Sequence, residues 1–237
     1  MRAFRFVMAG LLVAGLVVMA EAQQRGNRGG FGTGPAQLVL NEAVQKDLKL
    51  TDEQVEKVKT WGKEYQAKQT EDRKSRKDST PEERAEKTAE SRKTAYKDLA
   101  DVLKPEQIDR LKQIERQASG VAAFSDADTL VALKLDDSQK TKIKGIVDEY
   151  QKEAREITGG GFGKGGGGKG KGNFDKEKMA ENQAKREKLT KSALADIDEA
   201  LTADQRKTWK DLSGETFDRS KLNTGGFGNR GKAKAKD

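Results

Sequence analysis

The chain has 237 residues, 36% of them charged and only 33% hydrophobic, with a net charge of +8 and neither cysteine nor histidine. Without Cys or His there is no disulfide, no thiol or imidazole nucleophile, and no zinc site of the usual Cys/His kind. No carboxylate pair sits in an apolar context as acid–base chemistry needs, and no glycine run carries the GK[ST] ending of a phosphate loop. The residues therefore point away from an enzyme and indicate no metal or cofactor.

In chain order, residues 1–22 read as a secretory signal peptide. Arg2 and Arg5 precede an apolar run from Phe6 to Ala20, and Ala20-Glu21-Ala22 forms an A-x-A cleavage signature before Gln23. The run is short for a membrane span of about 20 residues. Cleavage between Ala22 and Gln23, a periplasmic or secreted location and no stable membrane insertion afterwards are the expectations. Residues 23–35 are a Gly-rich segment of the composition that stays flexible.

The first helical unit is placed at 36–120. Leu40, Val44 and Leu48 suggest a short helix that leads into Leu50-Thr51-Asp52-Glu53-Gln54. Thr51 can act as N-cap, Gln54 as the third helical residue that reaches back, and Leu50 with Val55 as a hydrophobic staple. Val55, Val58, Trp61 and Tyr65 then recur at steps of three and four, the period of one helix face. A restart at Thr80, Pro81 and Glu83 marks the tip of a hairpin. The motif returns as Leu103-Lys104-Pro105-Glu106-Gln107, with Leu103 and Ile108 as staple, proline where a helix tolerates it, and a lysine that caps poorly.

The second unit is placed at 121–218. Leu135-Asp136-Asp137-Ser138-Gln139 is followed by Ile143, Ile146, Val147 and Tyr150, and Leu201-Thr202-Ala203-Asp204-Gln205 closes it. Lys140 and Arg206 stand where the staple residue would be. The first and third motifs align, as do the second and fourth, so the unit is a pair of motifs, duplicated. The spacing from Leu135 to Leu201 exceeds that from Leu50 to Leu103 by 13 residues, close to the length of the Gly-rich stretch, which reads as a tip loop at 159–173. Residues 219–237 are a basic Gly-rich tail.

Pairs such as Glu53–Lys57, Glu83–Lys87 and Glu181–Lys185 sit four apart, which supports exposed helix faces, and no strand alternation is present. The fold class is all-α: two tandem antiparallel helical hairpins, a pseudo-dimeric cradle if they pack, with flexible Gly-rich segments. The charge is unevenly placed. The leader carries +1, residues 23–38 +2, the stretch 159–173 +3 and the tail +5, which leaves −3 on the helical body. GGFG recurs at 29–32, 160–163 and 225–228, and these basic segments suit weak binding of anions or acidic polymers.

Paired Leu-Thr-x-x-Gln motifs on an exported, charge-rich helical chain resemble the Spy/CpxP-like periplasmic proteins. Leu50, Thr51, Gln54 and Leu201, Thr202, Gln205 carry the match, with weaker matches at Leu103, Gln107 and Leu135, Asp136, Gln139. The resemblance implies a curved helical cradle, here as a covalent pseudo-dimer, and ATP-independent chaperone or envelope-stress function on unfolded or envelope proteins. Two pairs of motifs instead of one, and no His or Cys for metal sensing, depart from that pattern. The motif residues read as structural caps. Trp61, Tyr65, Tyr150 and Trp209 have two readings, core packing or an aromatic client-binding surface. A structural or adhesive envelope protein, with basic arms on acidic polymers, is the alternative function.

Overall fold

The computed structural model describes residues 33–75, 79–159 and 176–222. The leader 1–22, most of the segment 23–35, nearly all of the stretch 159–173 and the tail beyond Leu222 lie outside the described residues. Among the described residues every regular element is helical, and no helix is long and apolar enough to cross a membrane.

The lead-in is two short helices, α1 (Pro35–Val39) and α2 (Glu42–Asp47), where a single short helix is expected. Asn41 divides them. Its side chain accepts hydrogen bonds from the amides of Ala43 (2.8 Å) and Val44 (3.3 Å), the N-cap role that asparagine favours. Lys49 follows α2 in the left-handed region (φ 52°), and the Lys49 and Leu50 amides donate to Lys46 and Gln45. This Schellman ending turns the chain into α3 (Asp52–Ser75). Lys134 holds the same left-handed conformation (φ 50°) before Leu135, so both copies of the Leu-Lys-Leu sequence turn alike.

Next come α4 (Pro81–Ala100) and α5 (Pro105–Ser119). A 3-10 turn over Gly120–Ser125 leads to α6 (Ala127–Leu133), α7 (Asp137–Gly159), α8 (Lys176–Ala200) and α9 (Ala203–Ser213). Across α3 and α4, Trp61 bonds Asp98 and Tyr65 bonds Ser91. Across α7 and α8, Gln139 bonds Ala200 and Tyr150 bonds Thr190.

Two apolar cores result. The first joins Leu38, Val39, Val44, Leu48, Val58, Leu99, Leu103, Leu111 and Ile114. The second joins Val121, Phe124, Leu133, Leu135, Ile143, Val147, Ala193, Ile197 and Leu201. Between Val58 and Ala95 no described apolar side chain is buried, so the distal parts of α3 and α4 rest on polar contacts and helix propensity. Gly62 is one exception in size: a Cβ there would lie 2.8 Å from the Leu40 methyls, so glycine lets α1 close onto α3.

The cores are strapped together. After α9, Gly214 (φ 62°) reverses the chain, and residues 215–222 run back over the first core. Phe217, 5% exposed, is part of that core, and Leu222 packs against it. The strap is also bonded. Gln117 donates to the Ser213 and Glu215 carbonyls and accepts from the Phe217 amide, and Arg110 donates to the Glu215 carbonyl (2.7 Å). Arg116 on α5 donates to the Leu212 carbonyl.

A partly buried ion cluster forms the second joint. Arg92 of α4 makes a bidentate bond to Glu115 of α5 (2.9 Å at each oxygen) and donates to Asp126 (2.7 Å), the N-cap of α6. Glu115, only 5% exposed, also accepts from the Tyr96 hydroxyl at 2.5 Å. Burial works against the Arg92 charge, but the hydrogen bond and charge of Glu115 and the charge of Asp126 outweigh it and raise its pKa. Burial, then the neighbouring Glu115 charge, pushes the Tyr96 phenol well above its ordinary 10.0.

Two outcomes follow from these joints. Phe217→Ala removes a buried ring from the first core and should lower stability by about 3 kcal/mol in urea unfolding. Tyr96 stays protonated in the fold past the pH at which the unfolded chain releases its phenolic proton. The native state then binds more protons than the unfolded state, so stability falls as pH rises above about 10. Tyr96→Phe should flatten that alkaline slope while costing about 1–2 kcal/mol at neutral pH through the lost bond to a carboxylate. Urea midpoints measured across a pH series will separate the two effects.

Candidate functional site

The four motif glutamines converge in two pairs. Gln54 opens α3, and its side-chain oxygen accepts from the Thr51 amide (3.1 Å) while its own amide donates to Thr51 Oγ1 (3.2 Å). The same Gln54 carboxamide nitrogen donates to the Val102 carbonyl (2.9 Å) and to Gln107 Oε1 (2.8 Å). Gln107 answers in kind: its nitrogen donates to Gln54 Oε1 (3.2 Å) and to the Leu48 carbonyl (3.1 Å), and its oxygen accepts from the Lys104 amide (2.9 Å). A carboxamide offers two donors and two acceptor lone pairs. In both residues all four are used.

The second copy repeats the arrangement. Gln139 and Gln205 exchange bonds of 2.7 and 2.9 Å. Gln139 donates to Ala200 (2.9 Å) and Gln205 to Lys134 (3.5 Å), the long member of the set. Their oxygens accept from the amides of Asp136 (3.2 Å) and Thr202 (2.9 Å). Asp136 and Thr202 accept in return from the Gln139 and Gln205 amides. Lys104 has no oxygen to offer, so its box is half complete, and the proline that follows supplies the missing preorganisation.

The motif leucines lie beneath these pairs. Leu103, Leu135 and Leu201 are buried, and Leu50 packs against the first core half-exposed. Leu135 and Leu201 are buried without a staple partner at Lys140 and Arg206.

The four candidate aromatics are all half-buried and are divided between the copies. Trp61 packs on the first core, donates to Asp98 (3.2 Å) and stacks at 5.0 Å on Tyr65, whose hydroxyl pairs with Ser91 (2.8 Å). Tyr150 packs on the second core and pairs with Thr190 (3.2 Å). Trp209 lies 4.3 Å from the ring of Phe124, also on the second core. Each has an apolar neighbour, a polar partner or both.

Trp61 also lines a surface groove. A shallow groove of about 730 Å³ runs along α3, lined by Asp52, Glu53, Glu56, Thr60, Trp61 and Glu64, with Lys57 and Val102. Its lining combines the apolar Trp61 and Val102 with four carboxylates. Glu53 pairs with Lys57 (2.7 Å) and Glu56 with Lys59 (2.8 Å). Those hydrogen bonds and charges hold both glutamates below the usual carboxylate range. No cluster of three or more metal-ligating side chains occurs among the described residues.

Sequence reasoning reached the caps but not the glutamine pairs, the groove or the Arg92 cluster. One signal for the pairs was present: glutamine stands at all four positions where glutamate would cap equally well. Compared with family models, curated proteins and solved structures, the chain matches none of them.

The pairing generates a direct test. Gln54→Glu keeps the cap but loses two donors, and should cost about 2 kcal/mol at about 1 kcal/mol per bond. In double-mutant cycles with alanine, Gln54 and Gln107 should couple by about 1 kcal/mol, and Gln54 and Gln139 by nothing measurable. Equal coupling in both cycles would remove the pairs as the unit of organisation.

Proposed function

We propose that the chain is an exported, ATP-independent chaperone-like binding protein that shields extended polypeptide segments. The architecture behind this reading is two tandem antiparallel hairpins, each squared at its base by a glutamine pair and joined into a pseudo-dimeric cradle. The observation that carries it is the open groove on α3, where the apolar Trp61 and Val102 meet four carboxylates. Such a surface suits weak, sequence-tolerant contact with unfolded chains: an aromatic anchor for apolar side chains and carboxylates for basic ones. Glu115 and Phe217 are buried in the joints that tie the scaffold together. Neither ATP nor a metal has a part in this mechanism.

The measurement is light scattering from a reduced, denatured client such as α-lactalbumin. The intact protein should suppress its aggregation, suppression should survive removal of residues 160–173, and Trp61→Ala should weaken it severalfold. Absence of suppression by the intact protein would overturn the reading. If acidic polymers then bind through the Gly-rich segments, with binding lost on their deletion, the adhesive envelope function takes its place.

A further inference from the structure

The duplication supplies an internal control for the groove on α3. Equivalent positions in the two copies differ by 85, as in Leu50 and Leu135 or Tyr65 and Tyr150. At the positions matching Glu53, Glu56 and Trp61, α7 carries Ser138, Thr141 and Ile146. The second copy forms the same glutamine pair and the same kind of core with those residues. The scaffold therefore does not require the acids of the first copy, whereas the position of Trp61 packs on the core in both copies, as Trp61 in the first and as Ile146 in the second. The groove residues Asp52, Glu53, Lys57, Glu56 and Glu64 sum to −3 and their counterparts on α7 to −1; with Lys59, which pairs with Glu56, and Lys63 included, the stretch 52–64 carries −1 and the stretch 137–149 none.

The last described residues lie on the first core, the core against which Trp61 of the groove also packs. Leu222 packs against the first core, and the carbonyl of Lys221 accepts a bond from Asn41 at 3.5 Å. Asn41 adjoins Leu40, which lies against Gly62, the neighbour of Trp61. Residues 223–237 read NTGGFGNRGKAKAKD and carry +3, from Arg230, Lys232, Lys234, Lys236 and Asp237. At roughly 3.3 Å per residue an extended chain of this length reaches about 50 Å. The groove stretch 52–64 rises about 18 Å along α3.

We propose that residues 223–237 dock in cis into the groove on α3, with Phe227 near Trp61 and the alternate lysines on the carboxylates. Exposed pairs such as Glu53–Lys57 are weak and exchange partners readily, so the tail lysines compete for the same carboxylates. The tail then covers the groove as an internal pseudo-ligand, displaceable by salt or by a better-matched segment. This assignment uses the groove named in the proposed function, and its test reads tail position and not chaperone activity.

Because the chain has no cysteine, Ala235→Cys gives a single nitroxide site in the full-length protein. The amides of 52–64 and the Trp61 indole should lose nuclear magnetic resonance intensity, while those of 137–149 on α7 keep theirs. The loss should vanish at high salt and in the Glu53→Lys, Glu56→Lys, Glu64→Lys variant, whose exposed substitutions leave the circular dichroism unchanged. Equal broadening of both helices, or none, overturns the proposal. So does broadening of labelled, nitroxide-free protein mixed with nitroxide-bearing copies, which would place the tail on a second molecule. Aggregation suppression without docking would sink only the tail assignment; docking without suppression would sink only the chaperone reading.

Discussion

The two reciprocal glutamine pairs are the interaction on which the rest of the arrangement depends. Each carboxamide closes its own helix start and holds the partner's, so one pair fixes two helix ends and the carbonyls at the ends of α2 and α4. An amide pair of this kind carries no net charge, so it avoids the desolvation penalty that a buried ion pair would impose at the same place. It is also demanding: a carboxylate offers no donor, and a shorter amide does not reach. This explains why the motif leucines can vary in their staple partners while the glutamine recurs in all four copies.

The joints between copies follow a different chemistry. Where the glutamine pairs are neutral and repeated, the Arg92–Glu115–Tyr96–Asp126 cluster is charged and occurs once among the described residues. Its members come from α4, α5 and the cap of α6, so it fixes the angle at which the second copy leaves the first. The strap through Phe217 fixes the other side. Two similar corners are thus joined by residues with no counterpart in the repeat.

Much of the fold was legible because local physics carried it. Capping residues mark the starts of α3, α5, α7 and α9, and the recurrence at 85 residues relates α3 to α7. The division of the lead-in at Asn41 was less visible, since Leu40, Val44 and Leu48 fit one continuous helix face and only the asparagine opposes it. Phe217 was illegible: a lone phenylalanine after a glycine, in polar sequence, gives no period to read. Its burial is a contact over a long sequence separation, which local reasoning cannot supply. The groove was hidden for a related reason. Asp52, Glu53, Glu56 and Glu64 read as an ordinary solvated face until Trp61 and Val102 are seen to line the same groove.

The Phe217 strap also has a consequence for the order in which the molecule is made. The first core is assembled from residues synthesised early, yet one of its side chains arrives near the end of the described chain. Translation at about 5–20 residues per second leaves that core open for many seconds while the second copy is still emerging. During this interval the nascent first copy keeps an unfilled apolar cleft and remains easier to unfold.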